Sequence, residues 1–139
     1  TALDVTIQAQ ILDLMLDLQE EFKMSIMMIT HNLGVVGRIC DNVAVMYLGK
    51  VVEHTDVRTL YHHPAHPYTI GLFNSIPKLG EKKDRLEPIK GVVPDPINPP
   101  SGCSFRDRCP RAQDKCREEP PFAEVGDNHL ARCWFPGSE

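Results

Sequence analysis

Four cysteines in the last 37 residues, Cys103, Cys109, Cys116 and Cys133, are the side chains of this sequence best suited to chemistry. Five, six and sixteen residues separate them. Four thiols in so short a segment can act as thiolate ligands of a metal centre or pair as two disulfides. Zinc sites usually take thiolates in pairs two to four residues apart, and no such pair occurs here. A second candidate is His31, in Thr30-His31-Asn32 directly after the apolar run 25–29. If that run is a buried strand, His31 stands at its carboxyl edge, where open α/β sheets place their ligands. The plainer reading is a histidine hydrogen-bonded into its loop. Asp4 precedes an amphipathic segment, where a carboxylate suits a helix N-cap and the positive end of the dipole. His54, His62, His63 and His66 are discounted as a metal cluster, because Pro64 and Pro67 break the helical spacing that would converge the rings. Cys40 reads as a small buried hydrophobe.

Several elements must position these groups. Ile7, Ile11, Leu14, Leu18 and Phe22 recur at steps of four, three, four and four, which predicts a helix over 5–22. The continuous apolar run 25–29 predicts a strand buried on both faces in a parallel sheet, and helix followed by buried strand gives an α/β class. A short helix is expected over 32–40 and a second apolar strand over 42–48. Gly49-Lys50 suits a type II′ hairpin loop, so 51–53 should return antiparallel. Two further short helices are expected at 57–63 and 67–76, the second with proline at its first position, where a missing amide costs nothing.

The composition then shifts. Ten of the 12 prolines lie from Pro77 onward, and four fall within 93–100 alone, a density that no helix or central strand survives. A mixed-charge run at 81–87 reads as solvated surface. A boundary is therefore expected near 77–92, followed by a small appendage, 91–139, with little regular structure and a need for a staple. With 139 residues and 42% apolar content the chain can bury one core. Fifteen basic against 19 acidic residues, a net charge of −4, leave no electrostatic footprint for nucleic acid. The longest apolar stretch, 43–48, is far short of the roughly 20 residues that cross a bilayer. The opening Thr1-Ala2-Leu3-Asp4, already inside a structured pattern, suggests that further sequence precedes it.

Thr1-Ala2-Leu3-Asp4, an amphipathic helix, an apolar strand, Thr30-His31-Asn32, Cys40-Asp41 and a hairpin, in that order, resemble the second half of an ABC-transporter ATPase domain. The segments His63-Pro64-Ala65-His66-Pro67-Tyr68-Thr69, Gly102-Cys103-Ser104-Phe105, Arg108-Cys109-Pro110 and Cys116 resemble the C-terminal extension of the ATPase subunits of dipeptide, oligopeptide and related nickel importers. The fold this implies is α/β: the C-terminal part of a P-loop ABC ATPase core over 1–76, then a small irregular cysteine-containing extension over 77–139.

The resemblance makes Asp4 part of the D-loop at the interface of two nucleotide-binding domains, and His31 the switch histidine that senses the ATP γ-phosphate. It implies ATP and magnesium in the complete subunit. No G-x-x-x-x-G-K-[ST] loop, Leu-Ser-Gly-Gly-Gln signature or upstream carboxylate pair occurs in these residues, so this chain alone is expected to be inactive. It further implies a [4Fe–4S] cluster ligated by Cys103, Cys109, Cys116 and Cys133. Cys109-Pro110 shares the Cys-Pro ending of ferredoxin-type runs, while the wide spacings follow no ferredoxin pattern. Zinc, disulfides and free thiols remain the alternatives. Trp134 is expected to pack over that site or the core. The implied partners are a second ATPase subunit, the permease and, indirectly, an extracytoplasmic substrate-binding protein, at the cytoplasmic face of the membrane. A reading of another class is a metal-cluster module with a structural or regulatory duty and no catalysis.

Overall fold

The computed structural model describes residues 5–76 and 88–137. Asp4 and the charged run 81–87 lie outside the described residues. Two compact units, Thr1–Cys40 and Asp41–Glu139, divide the chain.

In the first unit, helix α1 spans Val5–Phe22, as its apolar periodicity predicts. Leu12 is buried, while the stripe of Ile7, Ile11, Leu14, Leu18 and Phe22 is exposed. The helix stops at Lys23, whose φ of 51° is left-handed and cannot continue it. The strand expected over 25–29 is not formed, and the residues from 24 to 30 carry no regular structure. Met27 and Ile29 are 88% and 95% exposed. A parallel strand exists only as one rung of a ladder, and among the described residues this unit holds no strand to pair with it. Helix α2, Leu33–Ile39, follows where expected: Asn32 caps it, its Oδ1 accepting from the Val35 amide at 3.3 Å, and Val35 and Val36 are buried.

The second unit is built on a four-stranded antiparallel sheet of order β1-β2-β4-β3. Strand β1, Asn42–Tyr47, pairs antiparallel with β2, Lys50–Asp56, from Asn42↔Asp56 to Tyr47↔Lys50, with a shift of register between Val45 and Met46. The hairpin loop is thus Leu48-Gly49 rather than Gly49-Lys50. Both residues have positive φ, 45° and 76°, which is the type I′ geometry whose twist matches the strands, and β2 is four residues longer than expected. Helix α3, Val57–His62, starts on Asp56, whose carboxylate accepts from the Thr59 amide at 3.0 Å. Helix α4, Pro67–Asn74, has its proline in the first turn and is capped by an imidazole, His66 Nδ1 accepting from the Tyr68 amide at 3.0 Å.

The largest departure comes after residue 91. Besides two 3-10 turns, Arg106–Arg108 and Asp114–Arg117, the segment forms a hairpin of β3, Phe122–Gly126, and β4, His129–Arg132. Strand β4 pairs with β2 through Glu53↔Ala131 and His54↔Leu130. Half of the sheet therefore comes from the part expected to have little regular structure. The compact units separate at Cys40 and Asp41, and strands from both sides of residue 77 share one sheet. Val45, Tyr47, Val52, Leu60 and Phe105 form the core, flanked by Tyr68, Leu72, Phe73, Ile89, Cys103 and Cys109. Phe105, 1% exposed, packs edge-on to Tyr47 and Tyr68 with ring centroids 5.2 and 5.4 Å away, so the cysteine-bearing loop is anchored on the β1–β2 hairpin.

Candidate functional site

Cys103, Cys109, Cys116 and Cys133 line one hollow of the second unit, together with His66, Pro67, Phe105, Arg111, Trp134 and Phe135. Three of the cysteines come from the loop that Phe105 anchors. Cys103 is tied to Cys116 directly, its amide donating to the Cys116 carbonyl at 3.0 Å, and the Ala112 amide donates to the Cys109 carbonyl at 3.2 Å. Between Cys103 and Cys116 the two backbones touch. Gly102, at φ 76°, is so close to Arg117 that a β-carbon there would lie 2.3 Å from the Arg117 carbonyl oxygen. Only glycine meets both requirements at that position.

The fourth cysteine arrives from the far side of the sheet, directly after β4. Arg132 Nε donates to the Val51 carbonyl at 3.1 Å, and the Gly137 amide donates to the Ala65 carbonyl at 2.9 Å. Arg111 Nη1 donates to the Gly137 carbonyl. The chain on either side of Cys133 is thus fastened to β2, to the α3–α4 loop and to the cysteine loop. Trp134 lines the same hollow; its Nε1 donates to the Glu118 carbonyl at 3.2 Å, and Lys115 Nζ lies 4.6 Å from the ring centre.

None of the four is paired in a disulfide. Burial pushes the pKa of Cys103 up, and so do the nearby Cys116 and Glu119. Burial likewise raises Cys109, with Cys103 and Cys116 adding to it and Arg111 opposing. Cys133 is pushed up to about 11 by burial and by the other three cysteines. Negative charge on these neighbouring sulfurs is mutually repulsive, a condition that a bound cation relieves. Among the described residues no three Cys, His, Asp or Glu side chains stand as a group able to hold a single ion. The four sulfurs surround a common hollow without closing on one point.

His66 belongs to this hollow and not to a histidine cluster. It is buried, while His62 and His63 lie on the surface. Burial lowers its pKa to about 4, against the pull of the Glu53 carboxylate and of a hydrogen bond with the Arg132 backbone, so the ring is neutral. Glu53 is the residue that sequence reasoning missed. It is fully buried; Oε1 accepts from the Ala65 amide at 2.7 Å and from His129 Nε2 at 2.7 Å, and Oε2 accepts from the His66 amide at 2.9 Å. A glutamate in a short return strand carries no local sign of burial, because His129 lies 76 residues away.

His31 sits apart from these residues in the sequence, exposed in the bend just before α2. The strand expected to carry it is absent, and the Asn32 amide beside it donates to Thr30 Oγ1 at 3.0 Å. Cys40 is half-buried and forms the C-cap of α2.

Residues 52–116 match the family described as the oligopeptide/dipeptide transporter, C-terminal region. That match runs across residue 77. The chain is 55% identical to the oligopeptide transport ATP-binding protein AppD of Bacillus subtilis over 136 residues, 97% of this chain and 42% of that protein. It is 44% identical to the oligopeptide transport ATP-binding protein OppD of Salmonella typhimurium over 139 residues, covering 100% of this chain and 42% of that protein. To the dipeptide transport ATP-binding protein DppD of Escherichia coli it is 44% identical over 137 residues, 98% and 42%. The chain thus spans about two fifths of the length of these relatives. No helix among the described residues is long and apolar enough to cross a membrane.

Proposed function

We propose that this chain, whose residues 52–116 match the oligopeptide/dipeptide transporter C-terminal region, is the C-terminal part of a subunit that hydrolyses ATP to energise peptide import through a membrane permease. The observation that carries this reading is 55% identity maintained along 97% of the chain. The residues present hold no phosphate-cradling glycine loop, so the nucleotide's phosphates and magnesium are gripped by other parts of the parent. Residues 1–76 belong on this reading to the ATPase core and 77–139 to the extension. His31 approaches the γ-phosphate as the switch histidine. Phosphoryl transfer is mainly positioning and charge stabilisation, so an imidazole that can donate a hydrogen bond contributes without acting as the base. Asp4 couples two ATPase subunits through the D-loop, and ATP-driven closure of that pair moves the permease. In the complete subunit assembled with its partners, His31→Ala should lower ATP turnover by about 100-fold; near-normal turnover contradicts the switch role.

A second assignment concerns the extension and is supported by the convergence of its four cysteines on one hollow. We propose that they ligate a [4Fe–4S] cluster. The donor set is four sulfurs with no carboxylate among the lining side chains, which suits iron–sulfur chemistry. A zinc ion would need all four sulfurs at about 2.3 Å from a single centre. Cys103, Cys109, Cys116 and Cys133 would hold the cluster as its four thiolate ligands. When bound, the cluster supplies a staple between the loop 103–116 and the segment after β4. The protein's own part is to bring Cys133 to the other three, to exclude water with Phe105, Trp134 and Phe135, and to set the Arg111 charge beside Cys109.

A further inference from the structure

The cysteine site is assembled from two stretches that share little backbone pairing, and the question is what holds them in place. Cys103, Cys109 and Cys116 lie in the loop anchored by Phe105, whereas Cys133 follows β4. The ladder between β2 and β4 comprises only Glu53↔Ala131 and His54↔Leu130, and the next strand outward, β3, is an exposed edge. Two rungs are a thin attachment for the strand that delivers a ligand.

At that junction lies the fully buried carboxylate of Glu53. Its three hydrogen bonds tie two distant pieces of chain together: Ala65 and His66 at the entry to α4, and His129 at the start of β4. His66 in turn lines the cysteine hollow, and Ala65 accepts from Gly137 beyond Cys133. The Ala65 and His66 amides can only donate, and His129 Nε2 meets the same carboxyl group at 2.7 Å, so Glu53 offers acceptor oxygens to both segments in a way that an amide of the same shape cannot reproduce. An amide in its place would turn an N–H toward either the His66 amide or the Ala65 and His129 donors.

We propose that Glu53 is the positioning residue of the cysteine site: by holding the His129 imidazole and the Ala65 and His66 amides on one carboxylate, it fixes β4, and with it Cys133, opposite Cys103, Cys109 and Cys116. The assignment rests on the reading that the four cysteines form one site, and it can fail while that reading stands.

The test is alkylation of the complete, metal-free, reduced chain with iodoacetamide, with the rate at each cysteine read by mass spectrometry. In the unaltered protein all four thiols should react at least about tenfold more slowly than in denaturant. In His129→Ala, which keeps the Ala65 and His66 bonds, Cys133 should react about tenfold faster while Cys116 keeps its protection. His129→Gln, which restores an N–H donor of similar reach, should return Cys133 toward the unaltered rate. Glu53→Gln should release Cys133 at least as much as His129→Ala; if it unfolds the chain, so that all four thiols react together, the His129 pair decides. Cys133 reacting at the unaltered rate in His129→Ala, or equally fast in the Ala and Gln variants, overturns the role of Glu53. Four thiols reacting at the denatured rate in the unaltered chain would overturn the one-site reading instead.

Discussion

Gly102 and Gly49 offer a matched pair of substitutions, because both have φ of 76° and only their surroundings differ. A β-carbon at Gly49 meets nothing within 4 Å, whereas at Gly102 it would lie 2.3 and 2.4 Å from the Arg117 carbonyl oxygen and carbon and 2.7 Å from the Cys116 carbonyl oxygen. Placing alanine in the left-handed region costs about 1–2 kcal/mol at either site. At Gly49 that is the whole effect. At Gly102 the backbone must also move by roughly an ångström, and overpacking of that kind adds about 1–3 kcal/mol. The Cys103 to Cys116 backbone hydrogen bond, about 1 kcal/mol, is stretched by the same movement. Gly102→Ala should therefore cost about 3–6 kcal/mol and Gly49→Ala about 1–2, the difference being the contact that holds Cys103 beside Cys116. Urea unfolding of the two variants, followed by tryptophan fluorescence from Trp134, measures both losses. Equal losses would refute the claim that the backbone contact at Gly102 sets the geometry of the cysteine loop.

Other consequences can be measured on the same protein. Leu48 holds a left-handed φ of 45° in the type I′ turn, so Leu48→Asn should stabilise the chain by about 1 kcal/mol in the same urea titration; a loss would show that the partly buried Leu48 side chain matters more than the turn. His66, lowered to about 4 from 6.5, binds a proton more readily in the unfolded chain. Its contribution is thus intact above pH 6.5 and declines as the pH falls toward 4, by about 3 kcal/mol in all. His66→Asn, which keeps an N-cap acceptor, should flatten stability between pH 6.5 and 4 relative to the unaltered chain, and an unchanged pH slope would contradict the buried neutral imidazole.

The helices were legible because their signals are local. The Ile7 to Phe22 stripe, Asn32 and Asp56 as caps and Pro67 in the first turn each act within a few residues. The segment 25–29 was misread for the opposite reason: an apolar run reports that a strand would be buried, but its ladder partners are not set by the run itself. The hairpin loop moved by one residue because Leu48 accepts the left-handed turn that Gly49 alone signalled. The β3–β4 hairpin was hidden by the surrounding prolines, although Asp127-Asn128 between alternating residues is a turn signal, and Asn128 does take φ of 51°. Cys103, Cys109, Cys116 and Cys133 were found by residue type and do share one hollow. Glu53 and His129 were not, since each is ordinary in its own strand and becomes a buried pair only when β4 docks on β2.

The most direct measurement of the account is the iron and acid-labile sulfide content of the chain purified without oxygen, together with its absorbance. Four cysteines gathered on one hollow should yield brown protein with about four irons and four sulfides per chain and a broad band near roughly 400 nm, and any one of the four changed to serine should reduce the iron bound. Colourless protein holding a single zinc, or linked by disulfides, would contradict it.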